Sequence, residues 1–155
     1  MSVFASLEKK LDEIFVKKAP PLPPNARRAI VAYLPYINLV LGVLTLLVAW
    51  GLYDAAHTVD YLVGSPATVS RLAFTVWLAI SVLVLEAAIF IAAFPATKAR
   101  RKPGWDLMFY AFLINVAYGI VVLFTDYGGI GRLIGSLAGS AAGLYFLFQI
   151  RGNYK

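Results

Sequence analysis

Four apolar runs, at about 30–52, 72–95, 106–125 and 130–150, occupy most of the chain, and a short amphipathic stretch precedes them. About 20 residues rising 1.5 Å each cross the roughly 30 Å of hydrocarbon in a bilayer. Lipid supplies no partner for backbone N–H and C=O groups, so each run is expected to be a helix. The pattern predicts an all-α integral membrane protein, with four transmembrane helices in a compact antiparallel bundle. Pro35 falls inside the first run. It either kinks that helix or marks the start of the crossing proper, with residues 26–34 in the interface.

Residues 1–19 follow a different rule. Phe4, Leu7, Leu11 and Ile14 recur at spacings of three and four, which puts them on one helix face. Glu8, Lys9, Lys10, Asp12, Glu13, Lys17 and Lys18 occupy the rest, and Glu13 and Lys17 stand in the favourable i, i+4 order. Residues 20–25 then form a Pro-rich spacer, where missing N–H groups and fixed φ stop the helix and stiffen the chain. Asn25 is placed to cap the next helix. The division is an amphipathic helix (1–19), a spacer (20–25) and a four-helix transmembrane domain (26–155). The apolar stripe fits a membrane surface, the groove of a partner protein, or a two-heptad coiled coil too short to stand alone. Four lysines against three acidic residues make a weakly basic face, which favours the protein partner.

Composition agrees with the pattern. The 155 residues are 61% hydrophobic and 14% charged, with a mean hydropathy of +0.76, whereas a soluble domain is about half apolar and a quarter charged. There is no cysteine and a single histidine, which excludes disulfides, thiolate chemistry and His-rich metal centres. No cofactor is expected. The net charge of +6 is unevenly spread. Lys9, Lys10, Lys17, Lys18, Arg27 and Arg28 precede the first run, Lys98, Arg100, Arg101 and Lys102 follow the second, and Arg151 and Lys155 follow the fourth. Only Arg71 and Arg132 fall on the opposite side. This bias predicts both termini on the cytoplasmic side of the cell membrane. It also explains the basicity through insertion and attraction to anionic headgroups, with no need of nucleic acid. Trp50, Tyr53, Tyr61, Trp105 and Tyr127, near the ends of the runs, suit interfacial aromatic belts. The second and first runs are joined by 53–71 but the third and fourth by a tight Tyr127-Gly128-Gly129 turn, so an inverted-repeat transporter is unsupported.

Against this apolar background Glu86 stands out, because an ionisable group in the membrane is costly and marks function by default. Counted from the ends of their runs at 1.5 Å per residue, Asn38, Glu86, Asn115 and Ser140 all lie roughly 12–15 Å deep. Ser81, Thr45 and Ser136 fall outside that layer. One reading is hydrogen-bonded glue between helices, with Glu86 neutral at pH 7 and donating to an Asn carbonyl. The other is a proton or cation site with the Asn amides as ligands. Gly131, Gly135, Gly139 and Gly143 recur every four residues in the fourth run and form a groove for close helix packing, within the chain or between copies. Asp54, His57 and Asp60 are spaced by three, a conceivable metal set but the ordinary pattern of a solvated face backed by Ala56, Val59 and Leu62. Lys98, Arg100, Arg101 and Lys102 are placed for lipid headgroups. No nucleophile–base set is present, and Gly128-Gly129-Ile130-Gly131 lacks the Lys and Ser of a phosphate loop. The expectation is a non-enzymatic subunit or scaffold, binding partner membrane proteins through the arm and the glycine-rich run. The alternative is a small oligomeric transporter or ion or proton channel with Glu86 in the pathway.

Overall fold

A computed structural model describes residues 3–59, 66–125 and 129–155, and their side chains apart from those of 3–5, 58, 59, 66–72 and 132. Phe4, Val59, Asp60, Tyr61, Leu62, Arg71, Tyr127 and Arg132, together with the Tyr127-Gly128 turn, lie outside the described side chains. Among the described residues the fold is all-helical, with no strand. Helix α1 (Val3–Asp12) runs into a π-helical turn, Glu13–Lys18. The long helices are α2 (Pro24–Val59), α3 (Pro66–Lys98), α4 (Lys102–Leu123) and α5 (Ile130–Gln149), and a 3₁₀ turn, Arg151–Asn153, ends the fold.

Among the described residues, three helices are long and apolar enough to cross a membrane: α2 over Pro24–His57, α3 over Ala73–Lys98, and α4 along its whole length. The protein is thus a helical membrane protein. In α5 the described apolar stretch, Leu133–Gln149, is shorter. Pro35 sits within α2 without ending it. The cost of a missing N–H is lower in a membrane helix, where neighbouring groups can satisfy the freed carbonyl. Pro24 opens α2 at the position where its lost donor would have gone unused.

The turn from α3 to α4 is built by a reciprocal pair of backbone bonds. Arg101 N–H donates to Ala96 C=O at 2.9 Å and Arg100 N–H to Thr97 C=O at 3.0 Å. This is a Schellman cap, and its αL position is filled by Arg100 at φ 53° instead of glycine. The chain terminus closes against the same turn. Lys102 N–H donates to Lys155 C=O at 2.9 Å and Lys155 N–H to Arg100 C=O at 3.2 Å. The arm, the α3–α4 turn and the C-terminus therefore share one end of the molecule.

The long helices pack in chain order, α2 along α3, α3 along α4 and α4 along α5, and no contact of comparable extent joins α2 to α5. Helix contact is thus most extensive between neighbours in the chain, and α2 also reaches α5 at the terminal end through Arg27 and Gln149. The physical reason is that lipid tails are as apolar as leucine, so helices approach only where small or polar residues reward contact. The main hydrophobic cluster lies at the end that holds both termini. There Val31, Ala93, Trp105, Met108, Phe109, Leu144, Leu147, Phe148, Ile150 and Tyr154 form one cluster. Trp105 stacks on Phe109 with ring centroids 5.4 Å apart, and Phe148 meets Trp105 edge-on at 5.2 Å. Trp105, expected at a membrane interface, is 1% exposed and belongs to this core. Trp50, by contrast, faces outward at the far end.

Candidate functional site

A polar cluster links three helices. Asn115 on α4 donates through Nδ2 to Glu86 Oε1 on α3 at 3.2 Å. Its Oδ1 accepts hydroxyl donations from Ser136 at 3.0 Å and Ser140 at 3.3 Å, both on α5. Ser136 and Ser140 lie one helical turn apart, so both reach one amide. The donors all run towards Glu86, which is the acceptor at the end of the relay. The expected donation from Glu86 to an Asn carbonyl is not the arrangement found, because two hydroxyls already occupy that oxygen.

The structure brings Glu86, Asn115 and Ser140 of the expected layer together, and adds Ser136. Asn38 is buried too, but its amide has no hydrogen-bond partner among the described residues. It sits on α2, outside the hydrogen-bonded set formed by α3, α4 and α5. Two cavities flank the cluster. One of about 270 Å³ is lined by Glu86, Asn115, Ser136, Ser140, Gly135 and Gly139 among others. A second, of about 580 Å³, spreads towards the far end between Leu52, Thr75, Val76, Tyr118 and Val122, and it shares Asn115 and Ser136 with the first.

The four spaced glycines of α5 divide into two sets. At Gly143 an added Cβ would strike the ring of Phe112 on α4, so this glycine serves packing within the chain. At Gly131, Gly135 and Gly139 a Cβ would meet nothing within 4 Å. The other close approaches use glycines outside that pattern. A Cβ on Gly42 would lie 2.8 Å from Ile91 Cγ1 and 3.2 Å from Ala87 C=O, and one on Gly119 would lie 2.8 Å from Ser136 Oγ. Gly119 thereby lets Ser136 reach Asn115. Periodicity within one run found the α5 groove, but these single glycines are visible only once their partners are known.

At the terminal end the arm folds back on its own chain. Gln149 is the centre of the contact. Its Nε2 donates to Phe15 C=O at 2.7 Å, and its Oε1 accepts from Leu22 N–H at 3.2 Å and from Arg27 at 3.1 Å. Arg151 pairs with Asp12 at 3.0 Å and with Glu8, and stands 5.3 Å over the Trp105 ring. Tyr145 donates to Pro20 C=O at 2.8 Å. Leu11 and Phe15 pack on the core, whereas Ile14 is exposed. The π turn accounts for the exchange of Ile14 for Phe15: its i→i+5 bonds, such as Ala19 N–H to Ile14 C=O at 3.0 Å, widen the helix and favour a spacing of four. Gln149 and Arg151 carried no signal in the sequence, since polar residues at the end of an apolar run are expected anyway.

Of the basic loop, Lys102 pairs with Asp106 at 3.1 Å and Lys98 lies 5.6 Å from the Phe94 ring centroid, while Arg100 and Arg101 are exposed. Burial pushes the Tyr154 phenol above its usual range, and the nearby Arg100 charge opposes part of that rise. At the far end His57 packs edge-on against Tyr53 at 4.4 Å and Trp77 at 6.3 Å. Asp60 of the same motif is outside the described residues. No family model, curated protein or solved structure matches the chain.

Proposed function

We propose that the protein is a non-enzymatic subunit of a membrane assembly, which receives a helix of another chain along the open glycine face of α5. The observation that carries this reading is that Gly131, Gly135 and Gly139 have empty space where a side chain would stand. A groove of this kind allows close helix approach in lipid. Gly135 and Gly139 also border the Glu86 cavity, so a helix seated there would cover a polar cleft that lipid tails solvate badly. In this reading α5 is a fourth span, since 20 residues at 1.5 Å each reach about 30 Å. Both termini lie in the cytoplasm of a cell whose inner or plasma membrane holds the protein, as the distribution of Lys and Arg favours. The exposed Arg100 and Arg101, with Lys98 and Lys102, meet anionic headgroups there.

Replacing Gly135 and Gly139 together with leucine is expected to reduce the mass of the native complex in mild detergent while the chain stays folded. Light scattering coupled to size-exclusion chromatography reads the mass, and an unchanged mass would overturn the assembly role. The arm's docking on its own chain leaves α5 as the main contact for partners.

A second reading, a small oligomeric transporter or cation or proton channel, draws on a separate observation. The two cavities share Asn115 and Ser136 in their linings, and the smaller one borders Glu86. On that reading Glu86→Gln abolishes proton or sodium flux into proteoliposomes. Wild-type protein that carries no flux above empty vesicles would remove it.

A further inference from the structure

The arm, α2, the α3–α4 turn and the chain terminus border an open cavity of about 720 Å³, lined by Asp12, Arg27, Lys102, Gln149, Arg151 and Tyr154 among others. Two of its lining side chains have unmet hydrogen-bonding capacity, and both can donate. Arg27 Nε and Tyr154 Oη are both buried and have no partner among the described residues. Tyr154 as a whole is only 7% exposed. Two acceptors nearby are already engaged: Gln149 Oε1 by Leu22 and Arg27, and Asp12 Oδ1 by Arg151. Buried donors without acceptors are costly and rare, so such a pair calls for a missing acceptor.

The charge around the cavity gives that acceptor its sign. Arg27, Lys102 and Arg151 line it, and Arg100 acts on Tyr154 from the adjoining turn. Asp12 and Glu8 are held by Arg151, and Asp106 by Lys102. A guanidinium N–H and a phenol O–H, set among cations, match the divergent oxygens of a phosphate. The volume leaves room for a substituent beyond the phosphate itself, and the cavity opens where the long helices meet the arm.

We propose that this cavity is a binding site for a phosphoryl group, held by Arg27 and Tyr154 with Lys102 alongside. The group belongs either to a free phosphate compound or to a lipid headgroup. Because Asp12 and the π turn form part of the wall, occupancy also fastens the arm to α5. The site is independent of the glycine face of α5, so each stands or falls alone.

The full chain, reconstituted in phosphatidylcholine nanodiscs, provides the test. Inorganic phosphate is titrated at constant ionic strength with chloride as the balance, and the unfolding temperature is followed by tryptophan fluorescence. In parallel, nanodiscs doped with phosphatidic acid are compared with undoped ones. A saturable rise with inorganic phosphate identifies a free phosphate compound as the source. A rise seen only with phosphatidic acid identifies the headgroup. In either arm Arg27→Gln and Tyr154→Phe are each expected to weaken half-saturation by about tenfold, the loss of one hydrogen bond to a charged group. Tyr154→Phe removes a single atom and keeps the core ring, so it serves if Arg27→Gln fails to fold. No rise in either arm, or a rise that Tyr154→Phe leaves intact, overturns the site.

Discussion

Replacing Gly104 with alanine is expected to destabilise the protein more than any other single methyl added to a glycine among the described residues. Gly104 is the third residue of α4 and lies against the last turn of α3. A Cβ there would stand 2.5 Å from the Thr97 backbone N and 2.7 Å from the Ala96 carbonyl carbon. Neither atom can swing aside, because Thr97 is fully buried and its hydroxyl is tied to Ala93 C=O at 2.7 Å. Relief requires α4 to move off α3, which also pulls on the Schellman turn and on the terminus bonded to it. The expected cost is about 3 kcal/mol, at the upper end of the range for overpacking. Gly143→Ala meets only the Phe112 ring, the end of a side chain that can rotate, and should cost about 1 kcal/mol. Gly139→Ala enters open space and is expected to be neutral, or to gain up to about 1 kcal/mol from helix propensity. Unfolding by dodecyl sulfate titration in maltoside micelles ranks the three, and equal midpoints for the Gly104 and Gly139 variants would refute the argument.

Trp105→Ala has the largest expected effect among the core side chains. The indole is fully buried between Phe109 and Phe148. Truncation of a buried Trp costs about 3–5 kcal/mol through lost transfer energy and the cavity left behind. A second contribution comes from Nε1, which donates to Leu147 C=O at 2.9 Å. That carbonyl lies in the last turn of α5, where no later helical N–H is available to it. Leaving it unsatisfied and buried adds about 1–3 kcal/mol. Trp105→Phe keeps most of the ring contact and loses the donor, so it is expected to show mainly the smaller second cost. The platform under Arg151 also disappears in Trp105→Ala. Trypsin should then cut faster after Lys17 and Lys18, and an unchanged cutting rate would show that the arm does not depend on the indole.

These two residues show where reading the sequence reaches its limit. Trp105 and Gly104 sit together at the start of α4, and neither has a periodic pattern that distinguishes an interfacial aromatic or a loop glycine from a packing centre. The decision is made by α3 and α5, which close on them from 7 and 42 residues away along the chain. The polar cluster is an intermediate case. Glu86 is conspicuous because a carboxyl group in an apolar run is expensive, and Asn115 is found by counting its depth. Whether Asn38 or Ser136 completes the set depends on how α2 and α5 rotate about their own axes. Depth along a helix carries no information about that rotation.

The amphipathic stripe of the arm was readable, but its occupant was not. A stripe of Leu7, Leu11 and Ile14 is as suited to lipid as to a partner, and the residues that capture it, Gln149 and Arg151, look like ordinary polar ends of a span. The π turn then exchanged Ile14 for Phe15 on the inner face, a change of local geometry that alternation at three and four does not encode.

By itself the sequence determined the helices, their approximate limits and the apolar environment of the long ones, because each follows from local rules: backbone groups that must be satisfied within the segment, and side chains that match or avoid lipid. The tertiary structure alone decided which glycines are consumed by packing, that the most extensive contacts join consecutive helices, that Glu86 ends a relay through Asn115 to two serines, and that the arm clasps α5. All of these depend on helix rotation and on contacts between residues far apart in the chain, and in lipid the hydrophobic pattern is too uniform to specify either.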